Sequence, residues 1–354
     1  MKLGLGLYRH MLTPENFRFA KQAGATHIVA HLVDYFSNEP RLPSTTTLGW
    51  GTSANRGRLW TLEELQDLRA AINAEGLELA AIENFDPSHW YDVLLDGPRK
   101  REQLEDIKTI IRRLGQAGIP IMGYYFSLAG VWGWVSGPFA RGGAESVGFK
   151  GTEGLNETPI PNGMVWNMTY DPDAPPGIVP SVSREELWGR LKDFLSEIVP
   201  VAEQAGVKLA AHPDDPPMAE LRGQPRLAYQ PQFYQRILDT YPSPNSKLEF
   251  CIGTLSEMSE SNIYEVVDHF SKQKALAYVH FRNVRGKVPN YREVFIDEGD
   301  TDMIRVLRIL KQNDYDGVLI PDHTPRMNCP APWHAGMAYA LGFMRAAMRL
   351  IGAE

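Results

Sequence analysis

The chain has 354 residues, enough for a large buried core, and its 43% apolar and 22% charged residues fit a folded protein rather than a disordered, collagen-like or coiled-coil one. Its 36 Lys and Arg against 43 Asp and Glu leave a net charge of −7, so it lacks the basic footprint of a general nucleic-acid binder. Two cysteines, Cys251 and Cys329, exclude a disulfide framework, and no stretch approaches the roughly 18 consecutive apolar residues of a membrane span.

In chain order, short apolar runs alternate with longer amphipathic ones. The runs that read as strands are 3–7, 27–30, 77–82, 119–124, 207–211, 247–250, 277–281 and 317–320. Helix starts are marked between them. Thr13 precedes Pro14, an N-cap before a proline at the first helical position, and Thr61…Glu64 and Ser183…Glu186 have the form of capping boxes. Gly24, Gly76, Gly118 and Gly206 stand where helices should end, each just before the next strand. Eight strand–helix units predict an α/β fold, one closed (β/α)8 barrel over residues 1–354. Arg9 and His10 interrupt the short apolar run at the N-terminus, so no signal peptide and a cytoplasmic location are expected.

Three connections are longer than a barrel turn needs, at about 32–60, 127–182 and 282–300. Each follows a strand, which places it on the barrel face that carries active sites. The second contains ten glycines and seven prolines, the composition of a loop, yet also Trp132, Trp134 and Trp166. Tryptophans in a loop call for a packing partner. A substrate-covering lid or a subunit contact is expected, and with the latter a homo-oligomer.

The chemistry lies at the ends of the later strands. The fifth ends in His212-Pro-Asp-Asp, the sixth in Phe250-Cys251-Ile-Gly-Thr, the seventh in His280-Phe-Arg282-Asn283, and the eighth in Pro-Asp322-His323-Thr-Pro-Arg326. The four positions His212, Cys251, His280 and Asp322 are each about one barrel unit apart and meet at one rim in a closed barrel. Two imidazoles, a thiol and a carboxylate make a divalent-metal site. The soft thiolate favours Zn²⁺, whereas catalysis with four protein donors needs a metal that expands its shell, such as Mn²⁺ or Fe²⁺. His323, beside Asp322, is the expected acid or base. Arg282, Asn283 and Arg326, with Tyr8 and Arg9 at the end of the first strand, are expected to bind substrate, the guanidinium groups gripping a carboxylate. Glu83, Asn84 and Tyr339 are further polar candidates, and Asp214, Asp215, His10 and His31 weaker ones. Cys329 is read as incidental.

These motifs, in this order, resemble those of the mannonate dehydratases of hexuronate catabolism, a family of xylose-isomerase-like TIM barrels. A metal-binding cysteine on the sixth strand is unusual among sugar-handling barrels, which makes the combination specific. The resemblance implies that His212, Cys251, His280 and Asp322 hold Mn²⁺ or Fe²⁺, that His323 moves protons, and that Tyr339 is a second catalytic group. It also implies a sugar-acid substrate that loses water, D-mannonate giving 2-keto-3-deoxy-D-gluconate. The same barrel and metal also serve sugar isomerases and epimerases, but these more often use carboxylate-rich sites. The departures from the family pattern are in the loops. Gly130-Val-Trp132-Gly-Trp134-Val-Ser lacks the family's arginine after Trp, and Leu-Tyr8-Arg9-His10 is a variant of its aromatic and basic cluster. Trp132 is the expected substrate-loop aromatic.

Overall fold

In the computed structural model, which describes residues 1–35, 50–53, 58–151 and 157–353, eight parallel strands close into a barrel. They are β1 (Lys2–Leu7), β2 (His27–His31), β3 (Glu78–Glu83), β4 (Ile121–Tyr124), β5 (Lys208–Ala211), β6 (Ser246–Cys251), β7 (Leu276–His280) and β8 (Val318–Ile320). Each pairs with its sequence neighbours, and β8 closes on β1 through Lys2↔Val318 and Leu3↔Leu319. All eight expected strands are present, with bounds shifted by one or two residues.

The outer helices begin where the caps predict. In α1 (Pro14–Gln22) the Thr13 hydroxyl accepts from the Asn16 amide, and both capping boxes form, Thr61/Glu64 opening α2 (Leu62–Ala74) and Ser183/Glu186 opening α4 (Arg184–Ala205). Between them, α3 (Lys100–Ala117) ends on Gly118 and α4 on Gly206, at φ of 71° and 69°, where a Cβ would be strained. The set is completed by α5 (Pro231–Thr240), α6 (Ile263–Lys272), α7 (Met303–Gln312) and α8 (Pro332–Leu350). Their apolar faces join the outer faces of the strands in one core, in which Leu5, Ile28, Ile107, Leu191, Phe250 and Leu307 are fully buried. No helix among the described residues is long and apolar enough to cross a membrane.

Inside the barrel the side chains alternate in level, and room is made for large polar groups by small ones. A Cβ on Gly123 would lie 2.6 Å from both Glu249 Oε2 and the Tyr278 hydroxyl. Period-two alternation then carries Glu249 and Cys251 inward from β6 and Tyr278 and His280 inward from β7, where Cys251 pairs with His280 and His280 with Ile320.

The insertions build a second sheet on the face where the strands end. Trp134–Ala140 and Ala144–Lys150, from the connection after β4, pair with Asn290–Val294 and Asn283–Lys287, from the connection after β7. Tyr291↔Phe149 and Arg292↔Gly148 form the seam between them. Most of the 32–60 connection lies outside the described residues. Its end is anchored where Gly51–Thr52 pairs with Met168–Thr169 and Trp50 packs edge-on against Trp166. The loop tryptophans Trp132, Trp134 and Trp166 are 0%, 4% and 2% exposed, so they pack inside the chain and supply no subunit contact.

Candidate metal centre and active site

The strand ends and the inserted sheet enclose a cavity of about 570 Å³. At its floor, His212, Cys251 and His280 bring one donor atom each within 4.8 Å of one another. The ring nitrogens have separate roles. His212 Nδ1 lies 2.6 Å from the Pro213 carbonyl, to which it donates, leaving Nε2 for the cluster. His280 Nε2 lies 3.3 Å from Glu83 Oε2 and 3.2 Å from Glu249 Oε1, so its Nδ1 faces the cluster, buried and without a hydrogen bond among the described residues. A carboxylate behind a metal-binding histidine is the arrangement that fixes ring orientation and tautomer.

Cys251 caps the six-residue helix Ile252–Glu257, its sulfur accepting from the Thr254 amide and hydroxyl at 3.4 and 3.1 Å. Burial opposes ionisation of the thiol, but the Arg282 guanidinium and the neighbouring His212 and His280 imidazoles outweigh it and hold the group at about 5. Asp322 takes φ of 63°, left-handed backbone uncommon outside glycine, and this turns its carboxylate back over the rim, 3.4 Å from His280 Nδ1 and 2.9 Å from Arg282 Nε. Against its burial, His280, His323 and Arg282 hold that carboxyl well below its ordinary value.

The donor set suits a divalent cation. It has a thiolate, a carboxylate and two imidazoles whose free nitrogens converge, with one of those nitrogens orphaned. Despite burial, the hydrogen bond to Cys251 and the charge of Glu249 push His212 up to about 9, and Asp322, Glu83 and Glu249 raise His280 well above the imidazole range. The cluster thus already gathers positive charge, which an entering cation supplies in place of protons.

Around it stand three carboxylates, of which Glu83 is a candidate from the sequence and Glu249 and Glu293 are not. Glu249 is pushed up to about 8 by burial and by the neighbouring Glu83, and among the described residues neither of its oxygens has a hydrogen bond. Glu83, for which burial is outweighed by His31 and His280, is held down at about 2. Glu83, Glu249 and His280 form a second close triplet, deeper in the barrel. Strand alternation could have revealed Glu249, two residues before Cys251. Glu293 carries no such signal: it comes from the inserted sheet, and its two oxygens lie 3.1 and 3.2 Å from His323 Nδ1.

Of the expected substrate groups, Tyr8 and Arg326 line the cavity, as do His10, His31, Asn84 and Asp215. Arg326 is the cavity's arginine, and its guanidinium makes no hydrogen bond or ion pair among the described residues; its backbone amide donates to the Glu145 carbonyl at 2.8 Å. Arg282 is buried and fully engaged, donating to Asp322, to Glu257 at 2.7 Å, to Thr254 and to Asp215, so it organises carboxylates rather than meeting substrate. Its close approach requires Gly253, where a Cβ would lie 2.5 Å from Nη1. Asn283 is turned into the base of its insertion, donating to the Ile296 and Thr301 carbonyls at 2.9 Å. Arg9 is exposed, its Nη1 3.4 Å from the Leu32 carbonyl.

Trp132 is buried under the Arg222 guanidinium, 3.7 Å above its ring. The turn at Gly133, φ 83°, gives the cavity Trp134 instead, whose ring is 5.3 Å from that of His323. Tyr339 is not brought to the cavity. Its hydroxyl accepts from Arg141 at 3.3 Å, because Trp333 and Met337 take the cavity-facing side of α8, and two residues beyond Met337 is about 200° around the helix. Asp214 is structural, bound by Arg226 Nε at 2.7 Å. Cys329 is exposed, away from the site.

A family model described as D-mannonate dehydratase (UxuA) matches residues 16–152 and 178–352. The mannonate dehydratase of Streptococcus equi subsp. zooepidemicus is 31% identical over 283 residues, covering 77% of this chain and 76% of that protein. That of Thermotoga petrophila is 28% identical over 288 residues, covering 75% and 78%. The crystal structure of mannonate dehydratase from Streptococcus suis serotype 2 superposes with a TM-score of 0.76 at 26% identity, covering 99% of this chain and 95% of that one. The fold is shared more widely. A D-psicose 3-epimerase from Clostridium cellulolyticum H10 superposes at TM-score 0.56 with 13% identity, over 99% and 98% of the two chains. With its barrel, its strand-end donors and these matches together, the chain belongs to the D-mannonate dehydratase family.

Proposed function

We propose that the chain removes water from D-mannonate to give 2-keto-3-deoxy-D-gluconate, with a divalent cation, Mn²⁺ or Fe²⁺, held by His212, Cys251, His280 and Asp322. The observation that supports this reading most is the convergence of the His212, Cys251 and His280 donors beside a cavity that His212, His280 and His323 line. In the reaction the C2 proton leaves, the C3–oxygen bond breaks with the hydroxyl departing as water, and the enol so formed becomes the 2-keto acid. The C2 hydrogen is weakly acidic because it lies beside a carboxylate. A bound divalent cation supplies Lewis acidity for the charge that develops there.

The chain's residues do the rest. Arg326, whose guanidinium has no partner among the described residues, receives the substrate's charge. Tyr8, His31 and Asn84 line the same cavity and meet the hydroxyls. His323 moves one of the two protons, its ring directed into the cavity by Glu293 and Trp134. Zn²⁺ satisfies the donors equally but favours four-coordination, which leaves no position for substrate.

The test is a thiobarbituric-acid assay for 2-keto-3-deoxy acids with D-mannonate, on chelator-treated protein with and without Mn²⁺ or Fe²⁺. Product that depends on added metal is expected. Metal-loaded protein that turns over another aldonic acid but not D-mannonate would reject the substrate, and one that isomerises or epimerises a free sugar would reject the reaction.

A further inference from the structure

We propose that Glu293 is the positioning residue for proton transfer, a carboxylate brought to the barrel rim by the inserted sheet to fix the ring of His323; this rests on His323 acting in the dehydration. Glu293 lies in the strand Asn290–Val294 and is buried. Its oxygens flank His323 Nδ1 at 3.1 and 3.2 Å, while His323 Nε2 lies 3.2 Å from Asp322 Oδ1. A ring held at both nitrogens, with the Trp134 ring edge-on at 5.3 Å, has one orientation. Nδ1 presents its hydrogen to Glu293, and Nε2 is left facing Asp322 and the cavity. A nucleophile or base oriented by a third group is the general form of such devices.

Charge balance does not account for Glu293. Its Oε1 is also 3.4 Å from Arg282 Nη1, but that guanidinium already binds Glu257 at 2.7 Å, Asp322 at 2.9 Å and Asp215. The carboxylate is placed by long-range pairing. Ser146, in the strand Ala144–Lys150, donates its hydroxyl to the Glu293 carbonyl at 2.7 Å, and Arg292 pairs with Gly148 next door. Two insertions more than a hundred residues apart in sequence must therefore meet before His323 is held. The inserted sheet completes the proton-transfer group as well as walling the cavity.

The experiment uses the metal-loaded enzyme and D-mannonate. Glu293→Gln is expected to lower kcat about 10- to 100-fold while KM and bound metal stay as in the wild type. Glu293→Asp, which keeps the charge beside Arg282 but withdraws it from His323, should lose turnover as well. The double variant E293Q/H323A should be no slower than H323A, since Glu293 acts only through that ring. In the metal-free protein, the ring-nitrogen NMR signals of His323 should move in E293Q and those of His31 should not. Wild-type kcat in both single variants, losses that multiply in the double variant, or unmoved His323 signals would overturn the proposal. Full turnover in H323A would overturn the role of His323 itself, and the proposal with it.

Discussion

The barrel rim and the inserted sheet both line the cavity, but they deliver their side chains by different physics. At the rim, His212, Cys251, His280 and Asp322 stand at the ends of consecutive parallel strands, so closure of the barrel brings the first three together, and the left-handed turn at Asp322 adds its carboxylate beside His280. Each position depends on strand register, which the hydrophobic core fixes. In the inserted sheet, Trp134, Tyr291 and Glu293 reach the site only because segments from two remote connections pair. On the proposed reading the rim holds the metal with little help from the loops, while the orientation of His323 depends on them. Besides the contacts of Glu293 with His323 and Arg282, a polar chain joins the two regions. Trp134 Nε1 donates to the Tyr291 hydroxyl, Tyr291 donates to Asp215, each at 3.0 Å, and Asp215 accepts from Arg282, which also holds Asp322.

Substitutions can separate the two regions, and the largest effect is expected where they meet. His323→Ala should cut kcat about 10²- to 10⁴-fold with metal still bound, as steady-state kinetics and metal analysis together would check; loss of the metal as well would mean that the regions cannot be divided. Arg282→Met leaves Glu257, Asp215 and Asp322 without their shared cation, and urea unfolding should show a loss of about 3–5 kcal/mol. Tyr291→Phe removes the middle of the polar chain, taking one donor from Asp215 Oδ1 and the acceptor of the Trp134 indole, at a cost of about 1–3 kcal/mol in the same assay. Because the rim donors do not need that link, Tyr291→Phe should leave the metal dissociation constant unchanged. Arg326→Gln should raise KM for D-mannonate about tenfold and spare kcat. Tyr339→Phe, on the outer side of α8, should change neither; a fall in kcat would show that the hydroxyl reaches the cavity during turnover.

The same division explains what could be read before the structure. Strand ends were legible because apolar runs and capping residues mark them, so His212, Cys251, His280, Asp322 and His323 could be placed at the rim from the sequence. Glu249 was within reach of the same reasoning, since a residue two before Cys251 on a strand shares its face. Facing within loops and helices was not legible. Trp132 and Trp134 look equivalent in Gly-Val-Trp-Gly-Trp until Gly133 turns the chain and buries the first under Arg222. Tyr339 has suitable spacing from His323, but the packing of α8, through Met337, decides which side of the helix meets the cavity. Glu293 depends on a register between distant segments that no local pattern encodes.

The central claim is that the metal sits among the rim donors, and anomalous scattering at the manganese edge from crystals of the Mn²⁺-loaded protein tests it most directly. A single peak within bonding reach of His212, Cys251, His280 and Asp322 is predicted. A peak between Glu83 and Glu249 instead, with Cys251 uncoordinated, would contradict it.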